Sequence, residues 1–381
     1  MKAVAVYPSQ KQVQLTDAPL PTLQRPTDVK LKILDVGVCG TDREICSFDY
    51  GLPPAGSDYL IIGHESLGRV EEVGSGVKGL KKGDLVVTMV RRPCSHPECV
   101  ACRSNRQDFC LTGDFTERGI KGVHGFMTEY VVDEEKYMNP VPGDLRNVAV
   151  LTEPLTIAEK ALTQVWDIQA RLPWNLRHDQ HPYRQGETLG EEDRGRAHNA
   201  VVLGAGPVGL LGAMLLRLYG FKTYVYSKEP QGSPKAELTK QIGGIYVSGS
   251  DTALEALAQQ VGNVDLVYEA TGASRLSYEM MKYLGINGIF AFTGVPGRKA
   301  PIEVDTDLLM RDQVLKNQVV FGTVNAGKEN FQSAIQHVGE FNRRWPQALK
   351  ALITGHFAPE KYKDLLVGDP GGIKNVVSFE G

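Results

Sequence analysis

One short segment constrains this chain more than any other. The apolar run Ala200-Val201-Val202-Leu203 leads directly into Gly204-Ala205-Gly206-Pro207-Val208-Gly209, and then into an apolar helical pattern through Leu210, Leu211, Ala213, Met214, Leu215 and Leu218. A strand that turns through three glycines into a helix belongs to a βαβ unit, and such units build a parallel sheet. Gly204 permits the tight turn, Gly206 lets backbone approach a pyrophosphate, and Gly209 allows close helix packing. Pro207 and Val208 open the helix, whose N-terminal amides supply partial positive charge. With 41 glycines in 381 residues the letters alone recur by chance, so context decides. Gly74-Ser75-Gly76-Val77-Lys78-Gly79 has the same letters but runs into Leu80-Lys81-Lys82-Gly83-Asp84, which offers no helix, and is read as a turn.

The strand-helix alternation continues through Thr223-Tyr224-Val225-Tyr226, Leu266-Val267-Tyr268 and Ile289-Phe290-Ala291-Phe292. After the second strand stand Ser227-Lys228-Glu229. An acid closing this strand bonds a ribose 2′-hydroxyl, but Glu229 stands slightly late for that contact, whereas Ser227 and Lys228 suit a 2′-phosphate. NADP is therefore expected as cofactor, with NAD also accepted.

Before this region, residues 28–141 read as short alternating segments divided by Gly and Pro turns, an all-β, barrel-like pattern. A helical pattern (Leu155, Ala158, Ala161, Leu162, Val165) follows, and then a polar stretch over 171–199 whose end is read as the domain boundary. The formal charge of 42 − 45 = −3 argues against a general polyanion binder, so small-molecule partners are expected and nucleic acid is not. The first residues alternate like a strand and lack the apolar core of a secretory signal, which points to the cytoplasm. The most apolar stretch, 206–221, carries Arg217 and is too short for the roughly 20 residues of a membrane span.

Of six cysteines, four (Cys94, Cys99, Cys102, Cys110) fall within 17 residues. In a reducing compartment that clustering suggests a closed tetrahedral zinc site. The lengthened first spacing leaves His96 as an alternative to Cys94, and Cys46 has no partner. Separately, Gly63-His64-Glu65-Ser66-Leu67-Gly68-Arg69-Val70 with Val73-Gly74 and Gly83-Asp84-Leu85-Val86 resembles the zinc-alcohol-dehydrogenase signature of the medium-chain dehydrogenase/reductase superfamily. Cys39-Gly40-Thr41-Asp42 matches its first ligand, 25 residues before His64. Within that superfamily the likeness is greatest to archaeal-type glucose dehydrogenases. It is carried by Val90-Arg91-Arg92, Arg106-Gln107-Asp108, Glu117-Arg118-Gly119-Ile120, His124-Gly125-Phe126-Met127, Leu151-Thr152-Glu153-Pro154, Tyr268-Glu269-Ala270-Thr271-Gly272 and Gly322-Thr323-Val324-Asn325.

That resemblance implies an α/β chain of two domains. A GroES-like β-barrel catalytic domain covers 1–190 with 326–381, including a structural-zinc lobe at 91–112; a Rossmann doubly wound parallel sheet covers 191–325. It implies a catalytic zinc on Cys39, His64 and Glu153, with Glu65 an alternate ligand or a carboxylate just behind the ligands. It also implies that Glu117, Glu153 and Asn325 touch sugar hydroxyls. Thr271, Thr293, Gly294, Val295, Thr323, Val324 and Asn325 would flank the cofactor, and the chain would assemble as a homodimer or homotetramer. The residue types suit that chemistry: a catalytic zinc keeps an open position that binds the substrate oxygen and lowers its pKa, and Thr41 can pass the hydroxyl proton towards solvent. The expected reaction is oxidation of an aldose, glucose or galactose, at C1 to a lactone. Another zinc polyol or secondary-alcohol dehydrogenase is the alternative.

Overall fold

The computed structural model describes residues 1–172, 194–297, 301–368 and 370–380. The chain folds as two compact units, Met1–Thr156 with Asn325–Gly381, and Ile157–Val324. The division falls within the helix Thr152–Gln169. The boundary expected near residue 190 lies outside the described residues.

In the first unit the long strand Asp28–Gly37 is the organising element. It pairs antiparallel with Glu65–Val73, Tyr130–Glu134 and Lys374–Ser378, so that segments far apart in sequence meet along one strand. Val29, Leu31 and Ile33 are fully buried, which fixes its register, since a slip of one residue would expose that face. Register shifts opposite Lys30/Leu31 and Ile33/Asp35 mark bulges, which bend strands. The segment 74–79 is a turn after Glu65–Val73, with Gly76 donating to Pro26 O and no helix following, as its sequence implied.

The second unit carries six parallel strands in the order Ile245–Ser248, Lys222–Ser227, Asn199–Leu203, Leu266–Glu269, Ile289–Phe292, Val319–Gly322. Chain order therefore runs outward from Asn199–Leu203 on one side and resumes on its other side at Leu266–Glu269. The crevice at that reversal is where open α/β sheets bind ligands. Ala200, Val201, Val202 and Leu203 are wholly buried, because helices cover both faces of a parallel sheet. No helix among the described residues is long and apolar enough to cross a membrane.

Candidate active site

Gly37 faces Glu65 across the strand pair, so the strand carrying the His64-Glu65 segment ends beside the one leading to Cys39. The chain then enters the short helix Gly40–Cys46. Asp42, on that helix and fully buried, accepts from the Cys39 amide at 2.9 Å and from the Gly63 amide at 3.2 Å. One carboxylate thus pins both turns. Its Oδ1 also lies 3.2 Å from His64 Nδ1, close but not aligned as a hydrogen bond. Cys39 Sγ, a His64 ring nitrogen and a Glu65 oxygen all lie within 4.8 Å of one another. Gly37 is required here, because a Cβ would come 2.0 Å from Glu65 Oε2.

Two features differ from the sequence expectation. Glu65, expected as the alternate, belongs to the cluster, whereas Glu153 falls outside that mutual 4.8 Å group. Glu65 is also already partnered: buried Lys374 donates to its two oxygens at 2.7 and 2.6 Å and to Val38 O at 3.1 Å. Burial pushes Glu153 up to about 7, with Glu65 and Asp42 adding to the rise against His64 and Lys374. Burial opposes charge on His64, but Asp42 and Cys39 outweigh it and raise its pKa. Three buried carboxyl groups, Asp42, Glu65 and Glu153, thus outnumber the buried bases His64 and Lys374, with the Cys39 thiol beside them. A divalent cation would balance that surplus, and thiolate, imidazole and carboxylate donors suit zinc. Thr41 is partly exposed on the same helix, and its hydroxyl has no partner among the described residues.

Glu117, on the strand Thr116–Arg118, is 5% exposed. Its Oε1 accepts from Arg91 Nε at 3.0 Å and from Asn325 Nδ2 at 2.9 Å, and Arg91 Nη2 lies 3.0 Å away. Oε2 takes no hydrogen bond among the described residues. Asn325 is itself tied back, its Oδ1 accepting from the Ala326 amide at 2.8 Å. Gly119, two residues on, packs so closely on Gly63 that a Cβ would meet Gly63 O at 2.4 Å, which fixes Glu117's strand against the His64 turn.

The other sulfur cluster is complete in cysteines: one sulfur each from Cys94, Cys99, Cys102 and Cys110 lies within 4.8 Å of the rest. His96 points elsewhere, with Nε2 2.5 Å from Asp114 and Nδ1 3.3 Å from Glu98. Backbone amides of Cys102 and Leu111 lower the Cys99 pKa. Burial opposes ionisation of Cys110, but the Thr112 hydroxyl and nearby amides bring it down to about 6. Cys46 is buried apart from both clusters, and burial drives its thiol up to about 12.

In the second unit the glycine turn has the shape its sequence implied. Gly204 has φ 101°, and its amide donates to Tyr226 O at 2.8 Å. A Cβ on Gly209 would lie 2.1 Å from Gly204 O, whereas one on Gly206 would meet nothing within 4 Å. The helix Pro207–Leu218 therefore starts above an open cradle. The neighbouring loops are held by Glu269, a fully buried acid that the sequence reading names within a motif but gives no role of its own. Its Oε1 accepts from the Thr271 amide at 2.6 Å, Thr271 Oγ1 at 2.5 Å and the Gly272 amide at 2.9 Å, and its Oε2 from Gly294 at 3.1 Å. Thr293 Oγ1 donates to Glu269 O at 2.6 Å. Gln164 donates to Thr323 Oγ1 at 2.7 Å and Lys160 to Val324 O at 2.9 Å, both from the long helix. Val295 and Val324 are 71% and 54% exposed. Ser227 donates to Glu229, while Lys228 is exposed.

This geometry has recognisable relatives. Residues 186–379 match the glucose dehydrogenase C-terminus family, and residues 25–143 the alcohol dehydrogenase GroES-like domain. The glucose 1-dehydrogenases of Methanocella arvoryzae and Thermoproteus tenax are each 38% identical to this chain; both alignments span 100% of it, with 99% and 100% of the relatives. The chain belongs to the glucose dehydrogenase family. The family sits within the zinc-dependent medium-chain dehydrogenases/reductases. Among solved structures, the Haloferax mediterranei glucose dehydrogenase in complex with NADP, Zn and gluconolactone superposes with a TM-score of 0.85 at 28% identity, covering 100% of both chains.

Proposed function

We propose that this member of the glucose dehydrogenase family oxidises an aldose, glucose with galactose as second candidate, at C1 to the aldonolactone, delivering hydride to NADP and also to NAD. The observation that carries the reading is Glu117: a buried carboxylate, fixed by Arg91 and Asn325 through one oxygen and left with the other, on a strand packed against the His64 turn. A simple alcohol would leave that oxygen desolvated and unpartnered, whereas a sugar hydroxyl satisfies it. The 38% identity to two glucose 1-dehydrogenases supports the same substrate.

In this reading Cys39, His64 and Glu153 hold the catalytic zinc, which when bound polarises the substrate oxygen and lowers its pKa. Lys374 holds Glu65 within the Cys39–His64 cluster as the alternate carboxylate. Asp42 orients the Cys39 and His64 turns, Thr41 Oγ1 relays the hydroxyl proton outward, and Glu117, Glu153 and Asn325 orient the ring hydroxyls. Cys94, Cys99, Cys102 and Cys110 hold a second, structural zinc; four thiolates leave no position for substrate. The turn Gly204, Gly206, Pro207, Val208 and Gly209 takes the pyrophosphate, the strand end at Ser227 the adenosine ribose, and Thr271, Thr293, Gly294, Val295, Thr323, Val324 and Asn325 the nicotinamide side. Reduced cysteines at both clusters suit the cytosol. The edge strand Val319–Gly322 and exposed Met310, Val314 and Leu315 suit contact between copies in a homodimer or homotetramer.

A panel of aldoses, polyols and simple alcohols, each with both cofactors, tests the proposal. Aldoses should exceed ethanol and sorbitol in kcat/KM by about 10⁴-fold, the discrimination available to a site built to hydrogen-bond hydroxyls. Glu117→Ala should lower kcat/KM for sugar while keeping zinc content. A polyol or secondary alcohol as the best substrate would overturn the aldose assignment.

A further inference from the structure

The chain's choice between dinucleotides lies in residues beyond the motif. Ser227 closes the strand Lys222–Ser227, beside Asn199–Leu203 and its glycine turn, so it stands where a Rossmann sheet receives the adenosine ribose. Its buried hydroxyl donates to the Glu229 carboxylate, drawing that group back over the strand end. Glu229 lies 20 residues beyond Gly209, close to the spacing at which an acid meets the ribose 2′-hydroxyl. Its backbone is anchored as well, with Tyr246 Oη donating to Glu229 O at 2.9 Å. The other carboxylate oxygen lies 2.5 Å from Lys235 Nζ. Lys235 comes from the first turn of the helix Pro234–Gln241, which Ser233 caps by accepting from the Ala236 amide at 3.2 Å. Glu229 and Lys235 side chains are 25% and 22% exposed, reachable by ligand yet partly shielded, whereas Lys228 is solvated.

We propose that the Glu229–Lys235 ion pair, and not Lys228, sets the discrimination between NADP and NAD; this rests on the dinucleotide reading of the glycine turn. With NAD the pair stays closed and Glu229 accepts the ribose hydroxyl. A 2′-phosphate carries more negative charge than a carboxylate and cannot share the site with an ionised Glu229 held in place. Lys235 then turns from Glu229 to the phosphate, and Glu229 swings towards solvent. One lysine thus serves both cofactors, as tether in one complex and as phosphate partner in the other.

Fluorescence titration of the full-length protein with NADPH and with NADH, without sugar, reads the two affinities directly, and thermal melting checks the fold of each variant. Lys235→Met should weaken NADPH by about tenfold, the factor equivalent to 1.4 kcal/mol, and NADH by less than about threefold, a loss of some 0.6 kcal/mol. Glu229→Gln should shift the ratio towards NADPH, and Lys228→Ala should leave it within about twofold, some 0.4 kcal/mol. A Lys235→Met protein with the parental ratio, or a Lys228→Ala protein that loses NADPH selectively, would overturn the inference while leaving dinucleotide binding intact. A parent protein that bound neither nucleotide would instead refute the dinucleotide reading and this inference with it.

Discussion

Alanine at Gly206 and alanine at Gly209 should separate binding from folding, though the positions lie three residues apart. A Cβ on Gly209 would stand 2.1 Å from Gly204 O and 3.0 Å from Gly204 C. Contact that tight demands a backbone shift of about 1 Å, and such overpacking costs about 1–3 kcal/mol or more. Gly204 cannot easily give way, since it is itself held at φ 101° with Thr271 Cγ2 2.6 Å from where its own Cβ would be. At about 2–4 °C per kcal/mol for a unit of this size, Gly209→Ala should melt several degrees lower. Gly206 has φ −78° and ψ −179°, ordinary extended backbone, with nothing within 4 Å of an added Cβ. Gly206→Ala should therefore keep or slightly raise stability, by up to about 1 kcal/mol through the unfolded chain. Its methyl would nevertheless occupy the space a pyrophosphate needs, weakening NADPH by about 10- to 100-fold, or 1.4–2.8 kcal/mol. Thermal melting without ligand and NADPH fluorescence titration read the two effects separately. A Gly206→Ala protein that bound NADPH like the parent would refute the cradle, and a Gly209→Ala protein that melted like the parent would refute the packing argument.

Removing Lys374 leaves Glu65, 1% exposed, without its ammonium; Lys374→Met should cost about 3–5 kcal/mol, most of it recovered in the double variant with Glu65→Gln. Calorimetry of the metal-loaded proteins checks this, and a single variant as stable as the parent would contradict it. Asp133 joins Arg92 and Arg118, its Oδ2 accepting from Arg118 Nε at 3.0 Å. Asp133→Ala leaves buried Arg92 and mostly buried Arg118 without their carboxylate, with only backbone carbonyls as hydrogen-bond partners among the described residues, and should destabilise by about 3–5 kcal/mol. Burial would raise the Asp133 pKa, but Arg118 and Arg92 overcome it and hold it low. The stability it contributes is therefore present above the ordinary carboxylate pKa near about 4 and lost as pH falls through its depressed folded value. Parent melting temperatures should drop more steeply than the variant's below about pH 4, the unfolded carboxylate range. Metal analysis should find about two zinc ions per chain; Cys102→Ser should lose one of them and melt lower while still binding NADPH.

What the sequence made legible is what local chemistry encodes. The strand-glycine-helix segment is legible because each glycine answers a demand of its own turn, and the pairing of Cys39 with His64, which the fold brings together, is suggested by two segments that each adjoin a strand end with strong local patterning. The four-cysteine lobe is legible for the same reason, although only the fold turns His96 away to Asp114 and Glu98. Partners brought by topology are not legible. Lys374 meets Glu65 across 309 residues because both strands lie against Asp28–Gly37; in sequence it is one lysine at the start of an apolar run. That meeting explains why Glu65 is already partnered although it lies in the cluster with Cys39 and His64. The signal for Glu269's role is its place as a lone acid closing the apolar strand Leu266-Val267-Tyr268, where burial demands that its oxygens be satisfied. Lys228 is the first cation after its strand, and only the turn through 230–233 shows that Lys235 returns to Glu229.

The central claim is hydride transfer from C1 of an aldose to a nicotinamide, and label transfer tests it most directly. The protein should be incubated with glucose deuterated at C1 and oxidised NADP, and the reduced cofactor and sugar product examined by mass spectrometry. Deuterium is expected in the reduced cofactor, in step with formation of gluconolactone or its hydrolysis product, and none in the cofactor when the deuterium is placed at C2. Reduced cofactor without label, or no reduction by any aldose while a polyol or secondary alcohol reduces it readily, would contradict the account.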